Sequence, residues 1–92
     1  MLVTLRQLQY VIAVAETGSF SKAAEIVAAE QSTVSQQIRV LEDRLRVVIF
    51  NRRSLPITVT DEGQAIVEQS KEIIEKVQQM LVPFKQQPNR YG

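Results

Sequence analysis

The sequence contains no cysteine and no histidine. The first absence excludes disulfides and thiolate metal sites. The second removes the usual general base and the commonest metal ligand. Catalysis would have to rest on carboxylates or lysine, so an enzyme is the weaker expectation, with no catalytic residue, metal or cofactor foreseen. The three glycines, Gly18, Gly63 and Gly92, lie too far apart to form a phosphate-cradling loop. No apolar run approaches the roughly 20 residues that span a bilayer, which argues against a membrane partner. Met1-Leu2-Val3-Thr4 lacks the basic and apolar segments of a secretory leader, so the cytoplasm is the default location.

What is present suits one small domain. The 92 residues are 45% hydrophobic, ordinary for a globular chain and too apolar for disorder. A net charge of +1 hides an uneven distribution. Residues 31–60 carry Arg39, Arg44, Arg46, Arg52 and Arg53 against Glu42 and Asp43, a balance of +3. Residues 61–82 carry Asp61, Glu62, Glu68, Glu72 and Glu75 against Lys71 and Lys76, a balance of −3. A polyanion would meet the middle third of the chain, although a plain solvated surface explains charge alone equally well.

Apolar spacing predicts the elements. Leu5, Leu8, Ile12 and Ala15 recur at helical steps between a Thr4 cap and Gly18. Ser19 or Ser21 caps a short second helix carrying Ala24, Val27 and Ala28. Its alanines leave room for close neighbours. Val34, Ile38, Leu41 and Leu45 form the buried row of a third helix, about 32–46. A strand-like run over 47–50, a turn over 51–56 and Ile57-Thr58-Val59 predict a hairpin of about 49–59. Thr60 then caps a helix of about 22 residues, which Pro83 is expected to stop. The division is 1–60 for a compact domain, 61–84 for the long helix and 85–92 for a flexible tail. The fold class is mainly α, three helices and a two-stranded wing followed by a long helix.

The third helix presents a face suited to reading bases. With Val34, Ile38, Leu41 and Leu45 inward, Ser32, Gln36, Arg39 and Asp43 fall opposite, flanked by Thr33 and Ser35. Glutamine can pair with an adenine edge, arginine with guanine, and serine or threonine with base edges or phosphate. Recognition helices put such N-terminal residues, here Gln31 onward, against base edges. Arg52 and Arg53, at the predicted hairpin tip, have the reach for a phosphate or a narrow minor groove. An ordinary amphipathic helix would also be polar outside; the short alanine-rich helix before it and the arginines after it favour DNA.

From Leu5 to Gly63 the chain resembles the N-terminal domain of LysR-type transcriptional regulators. Leu5, Leu8, Tyr10 and Ala13 fit the family's first helix, and Gly18-Ser19-Phe20-Ser21 with Ala23-Ala24 its second. Gln31, Val34-Ser35, Gln37-Ile38 and Leu41-Glu42 fit the third. Phe50 with Arg52, then Thr60 with Gly63, fit the wing and the entry to the linker helix. The resemblance implies a winged helix-turn-helix that binds double-stranded DNA at the nucleoid, with the third helix in the major groove and the wing at the minor groove. It implies a homodimer, or a tetramer in a full-length parent. An effector-sensing domain follows the linker helix in such proteins, so no effector ligand is expected on this segment. The family usually has a hydroxyl residue at position 30, proline at 32, glycine at 46 and a basic residue at 55. Here Glu30, Ser32, Arg46 and Leu55 stand there. Ser32 could then take over capping, and Arg53 could replace the lost wing contact. In the family, the residue at Arg52 can pair instead with an acid of the domain itself.

The long helix carries two apolar rows. Ile66, Ser70, Ile73, Val77, Met80 and Phe84 keep steps of four and three, and Val67, Ile74 and Leu81 lie seven apart. One row suffices to dock the helix on its own domain. Two make a stripe wide enough for a partner, so Ile66, Ile73, Val77, Met80, Leu81 and Phe84 are the expected dimer residues. A winged helix that binds protein rather than DNA is the competing function.

Overall fold

The computed structural model describes residues 2–86, the side chains of 83–86 excepted. The elements run α1 (Leu5–Thr17), α2 (Phe20–Val27), α3 (Gln31–Leu45), β1 (Phe50–Asn51), β2 (Thr58–Val59) and α4 (Asp61–Gln86). This is the three-helix domain with a two-stranded wing and a long helix that the periodicity predicts.

Helix α1 is the hub, touching α2, α3 and α4. Thr4 starts it with a capping box: its hydroxyl accepts from the Gln7 N–H at 3.1 Å, and the Gln7 amide oxygen accepts from the Thr4 N–H at 3.0 Å. Because three helices cover α1, its buried face is wider than the row read from sequence. Gln7, Leu8, Tyr10, Val11, Ala13 and Val14 are all buried, whereas Leu5 is 47% exposed at the rim. Gln7 satisfies its buried amide by donating to Gln37 Oε1 on α3 at 3.1 Å. The core is completed by Ala23 and Ala24 of α2, Val34, Ile38 and Leu41 of α3, Ile49 and Phe50 before and in the wing, and Val67 of α4.

Gly18 ends α1 at φ 67°, in the left-handed region open to glycine. A Cβ there would lie 2.8 Å from Pro56 Cβ, because the wing returns against this turn and the Ile57 N–H donates to Gly18 O at 2.9 Å. Ser19, rather than Ser21, caps α2 by accepting from the Lys22 N–H.

The wing is shorter than the apolar run 47–50 implied. Phe50 pairs with Val59 and Asn51 with Thr58, antiparallel. Pairing ends there because the Ile49 N–H donates to Glu42 Oε2 at 2.7 Å instead of to the facing Thr60, whose own N–H still donates across to Ile49 O at 2.9 Å.

Thr60 anchors α4 to this junction. Its hydroxyl donates to Val48 O and accepts from the Gly63 N–H at 2.9 Å. One turn later a Cβ on Gly63 would fall 2.5 Å from the Ile49 carbonyl oxygen, so only glycine admits so close a helix–backbone approach. Val67 and Ser70 are buried against the domain, and Ile66 and Ile74 pack at its edge. Two expectations about the C-terminal end are corrected. Pro83 does not stop α4, which continues to Gln86. The tail therefore cannot begin at 85, and residues 87–92 of it lie outside the described residues. A proline lacks one N–H donor, so a helix can run past it at a cost rather than end there. With extents of 55 × 25 × 21 Å, the molecule is a globule from which α4 projects.

Candidate nucleic-acid interface

The outward face of α3 follows from its buried row. Val34, Ile38 and Leu41 are fully buried, so Gln31, Ser32, Thr33, Gln36 and Arg39 all stand exposed. None of these side chains has a hydrogen-bond partner among the described residues. Glu30, extended at φ −78°, occupies the N-cap position without a side-chain cap. Ser32 sits inside the first turn and does not replace it, contrary to the expectation from sequence. The leading N–H groups of α3 are thus left for an external acceptor, for which phosphate is suited.

Arg52 departs from the picture of a free hairpin arginine. Its guanidinium donates to Ser35 Oγ at 2.7 Å and to Ser35 O at 3.3 Å, and forms an ion pair with Glu42 Oε1 at 3.4 Å. It also lies over the Phe20 ring, 4.5 Å from the centroid, while Phe20 meets Phe50 edge to face. Only 20% of the Arg52 side chain is exposed. Burial pulls its pKa below the ordinary arginine value, the charge of Arg39 adds to this, and Glu42 opposes it. The group stays cationic and works as a strut joining α2, α3 and the wing. Ser35, whose hydroxyl accepts from this strut, is half-buried and its lone pairs are partly spent.

Glu42 is the acceptor at the centre of this arrangement, and sequence reasoning gave it no structural task. Besides Arg52 it accepts from the Ile49 and Phe50 N–H groups at 2.7 and 3.3 Å. One carboxylate thereby fixes where the wing leaves α3. The signal available in sequence was an acid ten residues before an arginine, which alone is too common to read.

Arg53 is exposed, and only its backbone is engaged, donating to Asn51 Oδ1 at 3.1 Å. An open groove of about 960 Å³ separates the C-terminal half of α3 from the wing, lined by Arg39, Asp43, Arg46, Asn51 and Arg53 among others. Arg46 was missed as a candidate, although it belongs to the arginine-rich third of the chain. It ends α3 in the left-handed region at φ 56°, with its N–H donating to Glu42 O.

Of the residues expected to pair two copies, Ile73, Met80 and Leu81 are exposed, by 43%, 68% and 55%. Ile66 and Val77 are half-buried. The Phe84 side chain lies outside the described residues. Ile66 and Ile73 line an apolar groove of about 370 Å³ with Val3, Leu5, Leu8 and Leu45. Among the described residues no helix is long and apolar enough to cross a membrane, and no group of three or more acids could hold a metal ion.

Residues 5–64 match the family described as bacterial regulatory helix-turn-helix protein, lysR family. The chain is 37% identical over 76 residues to a probable cat1 operon transcriptional activator of Acinetobacter lwoffii, covering 83% of this chain and 25% of that protein. It is 37% identical over 73 residues to the DNA-binding transcriptional dual regulator OxyR of Escherichia coli strain K12, covering 79% and 24%. It spans about a quarter of the length of these curated relatives. Among solved structures, the BenM DBD complex with benA site 1 DNA superimposes with a TM-score of 0.87 at 32% identity, over 97% of this chain and 100% of that one. The CbnR DBD–DNA complex gives 0.82 at 31% identity, over 95% and 100%.

Proposed function

As the chain belongs to the LysR family of bacterial helix-turn-helix regulators, we propose that it binds double-stranded DNA sequence-specifically and serves as the DNA-reading part of a transcription regulator. The observation that carries this reading is the row Gln31, Ser32, Thr33, Gln36 and Arg39, exposed on one face of α3 with no internal partner among the described residues. A row of amides, hydroxyls and a guanidinium matches the donor and acceptor pattern of the major groove. Arg53 lies to one side, where backbone phosphate or a minor-groove wall would meet it. Ser35, expected beside the base-reading face, and Arg52, expected at the hairpin tip for a phosphate or the minor groove, act by holding the wing against α3. That the relatives are regulators and the neighbouring structures hold DNA supports action by binding rather than catalysis, and a place in the cytoplasm at the nucleoid is part of the same proposal.

The functional unit is a homodimer joined along α4 through Ile66, Ile73, Val77, Met80, Leu81 and Phe84. Two-fold pairing would present two α3 helices to two half-sites. Selection of bound sites from a random duplex pool tests the reading. The expected product is an inverted repeat. Recovery of unenriched DNA, together with capture of a protein partner by the same surface, would overturn it in favour of a protein-binding winged helix.

A further inference from the structure

We propose that Leu55 is an apolar wedge through which the wing touches the wall of the DNA minor groove, an inference that rests on the DNA-binding reading above. Leu55 is 91% exposed, more than any other large hydrophobic residue among the described ones. Exposure alone means little, since isolated apolar side chains are common on protein surfaces. Ile26 at 66% and Val48 at 62% are of that ordinary kind. Leu55 differs in how it is held.

Both of its neighbours are fixed. On one side, the Ser54 hydroxyl donates to Asn51 O at 3.0 Å and lies 3.0 Å from Thr58 Oγ1, and Asn51 Oδ1 accepts from the Arg53 N–H. On the other, Pro56 abuts Gly18, and the Ile57 N–H donates to Gly18 O at 2.9 Å. The turn is therefore pre-organised at both ends, and the side chain between them has no internal surface to fold onto. Because the turn is already ordered, burying the Leu55 side chain against a partner returns its hydrophobic free energy at the cost of its own rotamer freedom alone.

The adjacent Arg53 marks the partner's charge. A polyanion that draws Arg53 to its backbone brings Leu55 within reach of deoxyribose C–H groups lining the minor groove. Leucine and proline are among the side chains that minor-groove proteins press between or beside base steps. The pair Leu55-Pro56 would thus supply an uncharged contact, with Arg53 supplying the charged one. Preference would fall on easily opened pyrimidine–purine steps at the flank of each half-site.

The test uses the 92-residue chain, its selected duplex, and the variants Leu55→Ala and Leu55→Arg, with affinity measured across a salt series. Leu55→Ala should weaken binding roughly three- to tenfold at every salt concentration and leave the log–log salt slope unchanged. Leu55→Arg should steepen that slope by about one. Hydroxyl-radical protection of minor-groove sugars beside each half-site should fade in Leu55→Ala. An alanine variant that binds within twofold of the parent, or keeps that protection, would overturn the wedge while leaving DNA binding intact. Failure of the unmutated chain to bind any selected duplex would instead overturn the reading beneath it.

Discussion

Arg46 holds a backbone conformation that an L-residue adopts at a cost, φ 56° and ψ 40° at the end of α3. Left-handed geometry disfavours a Cβ by about 1–2 kcal/mol, of which glycine recovers the larger part after its own entropy loss. Arginine at a helix C-terminus also gains from the dipole, so comparison with Arg46→Ala isolates the backbone effect. Arg46→Gly should be more stable than Arg46→Ala by ~1 kcal/mol in urea unfolding. Equal midpoints would show that the turn is not strained by its side chain. Gln36 and Arg53 should separate two kinds of contact. Gln36 has a free amide on the face proposed to meet base edges. Gln36→Ala should relax preference at one or two base pairs by about 1–3 kcal/mol. Arg53→Ala should weaken all sites alike and lower the salt slope by about one. Competition binding against single-base variants of the selected site reads both. Identical, sequence-independent losses from the two would undo the distinction.

At the scale of elements, α3 serves two masters: its buried row seats it on α1 and α2, and its outer row faces solvent. Ile38 lies at the middle of the buried row with no exposed surface. Ile38→Ala should cost roughly 2–5 kcal/mol by thermal or urea unfolding, the range for a truncated central core residue. A cost below half a kcal/mol would mean that the site collapses freely around the gap. The phase of this helix was legible in sequence, because Val34, Ile38 and Leu41 are apolar and one partner surface covers them. The phase of α1 was not, since a helix touched by three others buries a broad face that a single apolar row does not mark. Gln7 and Tyr10 are buried there while Leu5 stands half out. The wing shows the same limit in another form. Its strands end early because the Glu42 carboxylate captures the Ile49 N–H, and such a side-chain claim on a strand leaves no periodic trace. The outer face of α3 could be read from spacing alone, whereas the inward turn of Arg52 depends on Glu42, Ser35 and Phe20 meeting in three dimensions.

For the whole molecule, the decisive feature is that α4 outruns the domain it docks on. Gly63, Val67 and Ser70 are buried against the globule, and beyond Ile74 the helix has little to pack on. Yet Met80, Leu81 and Val82 remain apolar there, exposed by 68%, 55% and 41%. The acidic residues of α4, Glu68, Glu72 and Glu75 among them, make this helix a poor neighbour for DNA. Left in water, an apolar end of this kind invites association. Pairing with the same helix of a second copy covers it, extends over the groove formed by Leu5, Leu45, Ile66 and Ile73, and closes under two-fold symmetry. Two α3 helices would then meet half-sites about 34–36 Å apart or a multiple of that. Each half alone would bind weakly, and the link between them would raise apparent affinity through effective concentration. Met80→Glu with Leu81→Glu keeps helix-forming side chains and leaves the domain core untouched, while placing four like charges at the seam of a dimer. The double variant should sediment as a folded monomer and bind the full inverted repeat no more tightly than unrelated duplex. Circular dichroism checks the fold, and sedimentation at tens of micromolar checks the assembly. A parent chain that is monomeric under those conditions and still protects both half-sites would mean that α4 does not join the two copies.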